Sequence, residues 1–217
     1  MRNIQISVGE YYHILNRGVN KQIIFHDKND YSRFLFLILY FQSPVNFQNI
    51  GRISKDIFVQ HSVLNIDKII KDRYVELISF CLMSNHFHLI VKEEVEGGIS
   101  QYMQRVLNAY TKYFNKKYQK SGHLFQGPYK AIHIIDDTYL LHLSAYIHRN
   151  PREIKDWFKK EEEYLWSSYQ DFIKENRWNN LLVPNIILEQ FKNKEDYKKF
   201  VNTSTTKIIE DEIISEI

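Results

Sequence analysis

The sequence predicts an α+β fold: a ferredoxin-like antiparallel sheet in the order β-α-β-β-α-β, followed by an additional helix. Three observations predict it. Two strand-like runs, Tyr74–Met83 and His86–Lys92, are separated only by Ser84-Asn85, which marks a hairpin. Two stretches with helical spacing of apolar residues, Asp27–Tyr40 and Ile99–Tyr118, flank that hairpin. Shorter strand-like runs, Tyr11–Asn16 and Tyr129–Ile135, lie outside those helices.

Taken in order, Tyr11–Asn16 alternates and ends at the turn signal Arg17-Gly18. Asp27–Tyr40 carries Phe34, Leu35, Ile38 and Leu39 at helical spacing, and Pro44 stops it. Its apolar run, Phe34–Phe41, is too short to span a bilayer and reads as a buried helix. Gln42–Ser62 shows no clear period, and Asn65–Lys71 suits a short helix. Gly97-Gly98 breaks the chain after the hairpin. The next helix places Met103, Val106, Leu107, Tyr110, Tyr113 and Phe114 on one side, and Gly122 is expected to end it. Asp136-Asp137-Thr138 offers N-cap oxygens for a helix running to about Arg149, with Asn150-Pro151 as its stop. These elements give a domain over 1–152. Residues 153–217 read as an appendage packed on it: Tyr164–Tyr169 docks, and Ser204–Ile217 forms a loose or partner-dependent helix.

The composition is that of a globular protein, with 44% hydrophobic and 25% charged residues. No membrane span or secretory signal is evident. The single cysteine, Cys81, lies among apolar neighbours and suits a buried thiol in a cytoplasmic protein. Net charge is only +3, but its distribution is uneven. Residues 1–151 hold 18 Lys+Arg against 12 Asp+Glu, whereas 152–217 hold 11 against 14. Between Gly97 and Ile135 there is no acidic residue, and cations alternate with aromatic rings. Cations meet phosphates and rings stack on unpaired bases, so this stretch suits single-stranded or hairpin nucleic acid. A solvated helix face above an aromatic core is the other explanation.

The chemistry begins at Asn85-His86-Phe87-His88. Histidines at i and i+2 on a strand share one face, so His86 and His88 can reach a single metal ion while Phe87 points to the core. Two imidazoles need a third ligand and open positions for substrate. A nucleophile next to such a site should come from an element that also touches the ion. Of the 15 tyrosines, Tyr12, Tyr129 and Tyr146 have a metal-capable residue four positions later: Asn16, His133 and Asn150. In a strand four residues span roughly 13 Å, too far for one ion, whereas on a helix they are neighbours. Tyr146 and Asn150 sit at a helix end. From the spacing alone they are better explained as an amphipathic surface residue and a C-cap before Pro151.

Five segments, in order, resemble the HUH-type single-tyrosine transposases, in particular their REP-associated tyrosine transposase branch. These are Tyr12–Gly18, Ser84–Ile90, Gly122–Lys130, Tyr146–Pro151 and Trp166–Tyr169, so the resemblance covers about residues 8–172. It implies a ferredoxin-like catalytic core with His86, His88 and Asn150 binding Mg²⁺ or Mn²⁺, and Tyr146 as nucleophile. The implied activity is metal-dependent transesterification: one DNA strand is cut, often beside a hairpin, leaving a 5′-phosphotyrosine and a free 3′-OH. Relatives include monomers and dimers, so a homodimer stays open. Arg17, Arg105, Lys112, Lys116, Lys117, Lys130 and Arg149 are the candidates for nucleic-acid contact. The chain departs from the pattern at Pro128, where relatives often carry Arg, and at Ser84, which replaces a common proline. His148 faces away from Tyr146 and suits a supporting role, and His13 has no ligand spacing. The rivals are a non-catalytic hairpin DNA- or RNA-binding module on the same fold, a rolling-circle nickase lacking its usual extra domains, and a zinc hydrolase lacking a general base.

Overall fold

Strand β1 (Tyr11–Arg17) sits at the middle of the structure because its alternate residues serve two cores. The computed structural model describes residues 5–48, 50 and 66–204. The aperiodic Gln42–Ser62 stretch falls largely outside them, as does the tail helix expected beyond Ser204. Strands β2 (Val75–Met83), β3 (His86–Glu93) and β4 (Lys130–His133) complete an antiparallel sheet in the order β2-β3-β1-β4. This is the expected ferredoxin-like order, with the histidine strand central. The last strand is shorter than the sequence suggested.

Two faces of the sheet carry separate cores. Tyr12 and Ile14 of β1 join Phe87, Leu89 and Val91 of β3 on one face. Helices α1 (Lys28–Tyr40) and α3 (Gly98–Tyr118) cover that face, and a short α2 (Ile66–Lys71) lies at its margin. Asp27 caps α1 by accepting from the amides of Asn29 and Asp30, and the whole run Phe34–Tyr40 is buried. Removing that much apolar surface from water, at about 25 cal/mol per Å², is the main force holding α1 on the sheet. Helix α3 ends at Tyr118, before the expected Gly122. Gln119 adopts the left-handed conformation (φ 52°) and its amide donates to the Asn115 carbonyl.

On the opposite face Leu15, Ile90, Cys81 and Met83 meet α4 (Asp137–Arg149), the additional helix. Asp136 caps it by accepting from the Tyr139 amide. Helix α4 is covered in turn by α5 (Tyr169–Ile173), α6 (Asn185–Leu188) and α7 (Lys194–Thr203), whose Phe172, Ile187, Tyr197 and Val201 share its core. The segment before α5 lies along the edge of β2: the Leu82 amide donates to Trp166 O, and the Ser168 amide donates to Phe80 O.

A buried polar seam locks these layers together. His148 of α4 bonds the Tyr197 hydroxyl through Nδ1 (2.7 Å), and the Ser168 and Ser79 hydroxyls through Nε2 (2.9 and 3.1 Å). His148 is therefore a supporting residue. His13, on β1, is equally buried. Burial lowers both imidazoles to about 3 from their ordinary 6.5. The unfolded chain takes up protons at these sites below about pH 6.5 while the folded chain does not. Their contribution is therefore whole above that pH and is lost as pH falls toward 3. Urea denaturation in a chelating buffer should show stability at pH 5 below that at pH 7, by about 2 kcal/mol for each histidine.

Gly18, directly after β1, is required by close approach. A Cβ there would overlap the Gln22 carbonyl oxygen and crowd Ile24. Gly18→Ala should cost about 1–3 kcal/mol in chemical denaturation, as overpacking against backbone does.

Candidate active site

The β2–β3 hairpin delivers His86 and His88 to the face covered by α4, and Phe87 to the other, where it is fully buried. The two imidazole rings are 5.0 Å apart. The last turn of α4 brings Tyr146 over them, its ring 5.7 Å from that of His88 and nearly perpendicular to it. Asn150, one turn later, is buried and remains in right-handed helical geometry at the start of a 3₁₀ turn, Asn150–Glu153. The structure thus brings together all four residues singled out for chemistry.

The hydrogen bonds fix which atoms face the gap. Asn150 Nδ2 donates to the Tyr146 carbonyl (3.0 Å), so its Oδ1 is the atom turned to His86. Asn85 Nδ2 donates to the Lys21 carbonyl, which turns Asn85 Oδ1 toward His86 Nδ1 at 2.7 Å. His86 must therefore hold its proton on Nδ1, and its Nε2 lone pair confronts Asn150 Oδ1 at 3.5 Å. Two electron-rich atoms facing each other in this way fit a cation between them. His88 adds a third donor, because its Nε2 is buried without a hydrogen-bond partner. Desolvation holds both imidazoles below their ordinary range, assisted at His88 by His86 and His13, and at His86 opposed in part by Asn150 and assisted by Arg17. Both are neutral at neutral pH, the state a metal needs.

A cleft of about 330 Å³ opens over this constellation. Tyr146, His86, His88 and Glu153 line it, with Arg17, Lys21 and Lys130 as cationic wall groups and Gln126 and Pro128 beside them. Gln126 is placed by the Gly122–Lys130 segment, whose residues bridge to Gly18, and it accepts from Arg17 Nε at 2.6 Å. Of the cationic candidates, Arg17 and Lys130 thus reach the cleft.

The others do not. Arg105 donates to the carbonyls of Phe41, Ser43 and Val45 and stacks on the Phe41 ring, a structural post. Lys117 is paired with Asp27 and Asp30 of α1. Lys112 and Lys116 are exposed on α3, on the far side of the sheet from the histidines. Arg149 donates to the Ser204 carbonyl at 2.6 Å. Lys21 and Glu153 entered the site without a sequence signal, because 3₁₀ turns carry them there.

A family model described as "Transposase IS200 like" matches residues 52–150, a span containing the histidine pair, Tyr146 and Asn150. Over that span the chain is similar to the IS200-like transposases. Among solved structures, a REP-associated tyrosine transposase bound to a REP hairpin superposes on this chain with a TM-score of 0.53 at 13% identity. The match covers 86% of this chain and 92% of that one, and it shows a shared fold. No curated protein matches the chain. Among its described residues no helix is long and apolar enough to cross a membrane. They also hold no cluster of three His, Cys, Asp or Glu suited to a metal. The oxygen that faces His86 beside these imidazoles belongs to an amide, Asn150, and a set of two imidazoles and one amide would leave room for substrate oxygens and water.

Proposed function

We propose that this chain is a metal-dependent endonuclease and strand transferase for single-stranded DNA, cutting beside a hairpin. One observation carries the reading: a phenol and an amide, one helical turn apart, meet a pair of neutral imidazoles in a cationic cleft. The hairpin as substrate rests on the ligand of the solved relative.

The Tyr146 oxygen forms a bond to a backbone phosphorus as the bond from that phosphorus to the 3′ oxygen breaks. The phenolic proton leaves, the 3′ oxygen gains one, and a phosphodiester is exchanged for a phosphotyrosyl ester. Bond energy is thereby kept for rejoining to another 3′-OH. His86, His88 and Asn150 are the residues that would hold Mg²⁺ or Mn²⁺. When bound, such an ion polarises the phosphate and favours phenolate. The chain's own residues orient the reaction. The bond from Asn150 to the Tyr146 carbonyl ties the amide to the turn that carries the phenol, and Arg17, Lys21 and Lys130 offer partners for DNA phosphates.

The test is incubation of the protein with a labelled hairpin carrying a single-stranded flank, with Mg²⁺ or Mn²⁺ or with chelator, followed by a denaturing gel. A covalent adduct that depends on the cation is expected. Binding without any adduct would leave the hairpin-binding module as the correct account.

A further inference from the structure

Resting on that reading, we propose that His13 is a positioning residue that accepts from His88 Nδ1 and so supports the ligating tautomer of His88. His13 lies on β1, two residues from Leu15, the cross-strand partner of His88, and on the same face of the sheet. Its Nε2 is 2.9 Å from His88 Nδ1, and the rings stack with centroids 5.1 Å apart. Both side chains are buried, and the outer nitrogen of each, His13 Nδ1 and His88 Nε2, has no hydrogen-bond partner.

One proton lies between the two rings, and two arrangements place it. If His13 Nε2 donates, His88 carries its proton on Nε2 and cannot bind a metal through that atom. If His88 Nδ1 donates, its Nε2 offers a lone pair on the face shared with His86, and neutral His13 carries its own proton on Nδ1. Each arrangement leaves one buried N–H unsatisfied, so the hydrogen bond alone does not choose. Occupation of His88 Nε2 by a cation breaks the tie in favour of the second, with His13 as acceptor. A carboxylate or carbonyl commonly fills this place behind a metal-bound histidine. Here the acceptor is uncharged, which adds no negative charge beside the ligand and suits an ion that is bound and released readily.

Nitrogen-15 NMR of histidine-labelled protein, titrated with Mg²⁺, reads the tautomer directly. The expected result is His88 protonated at Nδ1 in the Mg²⁺-bound state. His13→Phe removes the acceptor and should weaken Mn²⁺ binding, measured by calorimetry, by about 10–100-fold. His13→Gln, whose amide oxygen can still accept, should recover most of that loss, which a purely packing role would not explain. Mg²⁺-bound His88 protonated at Nε2, or wild-type Mn²⁺ affinity in His13→Phe, would overturn the role of His13 and leave the active site intact. Should His13→Phe fail to fold, the wild-type tautomer decides alone. Wild-type protein that binds neither ion would instead overturn the parent reading.

Discussion

Tyr146→Phe is expected to abolish covalent capture of single-stranded DNA while leaving hairpin affinity unchanged. The phenylalanine ring retains the edge contact with His88, so the cleft keeps its shape. Only the hydroxyl that becomes the ester oxygen is lost. Removing the nucleophile of a covalent mechanism costs about 10⁴-fold or more, which in a gel means no adduct band. Affinity should hold because, in the function proposed above, it derives from phosphate contacts with groups such as Arg17 and Lys130, which line the cleft and which the substitution does not touch. An adduct formed by Tyr146→Phe at the wild-type rate would show that another residue attacks.

His86→Ala and His88→Ala should each reduce adduct formation by about 10³-fold, since a cation contributes several kcal/mol to such a transition state and each 1.36 kcal/mol is tenfold. The two variants differ in a second measurement. His86 bonds only to the neighbouring Asn85 and faces Asn150, so its loss should barely move thermal stability. His88→Ala strips the buried His13 Nε2 of its partner, and an unsatisfied buried polar group costs about 1–3 kcal/mol. Unfolding curves for the pair check this: equal destabilisation would contradict the arrangement of imidazoles described above.

Much of the sheet was legible because hairpin spacing, alternation and helix caps are local signals. The i, i+2 rule placed His86 and His88 on one face, and the i, i+4 rule paired Tyr146 with Asn150. Both are properties of a single element, so one dimension sufficed. His13 was not legible. Its partner is 75 positions away, and the diagonal between β1 and β3 exists only once the strands pair. The basic, aromatic stretch 97–135 divides, and only its end, at Gln126, Pro128 and Lys130, reaches the cleft. Its composition suggested a nucleic-acid surface, yet Tyr102, Tyr110 and Phe114 are core residues and Lys117 neutralises Asp27 and Asp30. Composition counts charges but cannot say which side of a sheet they occupy. The left-handed turn at Gln119 was missed for a simpler reason, since the glycine three residues later was the more obvious helix terminator.

Helix α4 is held between the sheet and α7, and His148 pins it to β2, Ser168 and Tyr197 through buried bonds. Lending its phenol to a neighbouring molecule would mean breaking that seam. If His86, His88, Asn150 and Tyr146 do the cutting, each copy would therefore hold a whole set of cutting tools. Under the chemistry proposed here, nicking is first order in protein, and excising a segment at both ends takes two independent visits rather than one shared assembly.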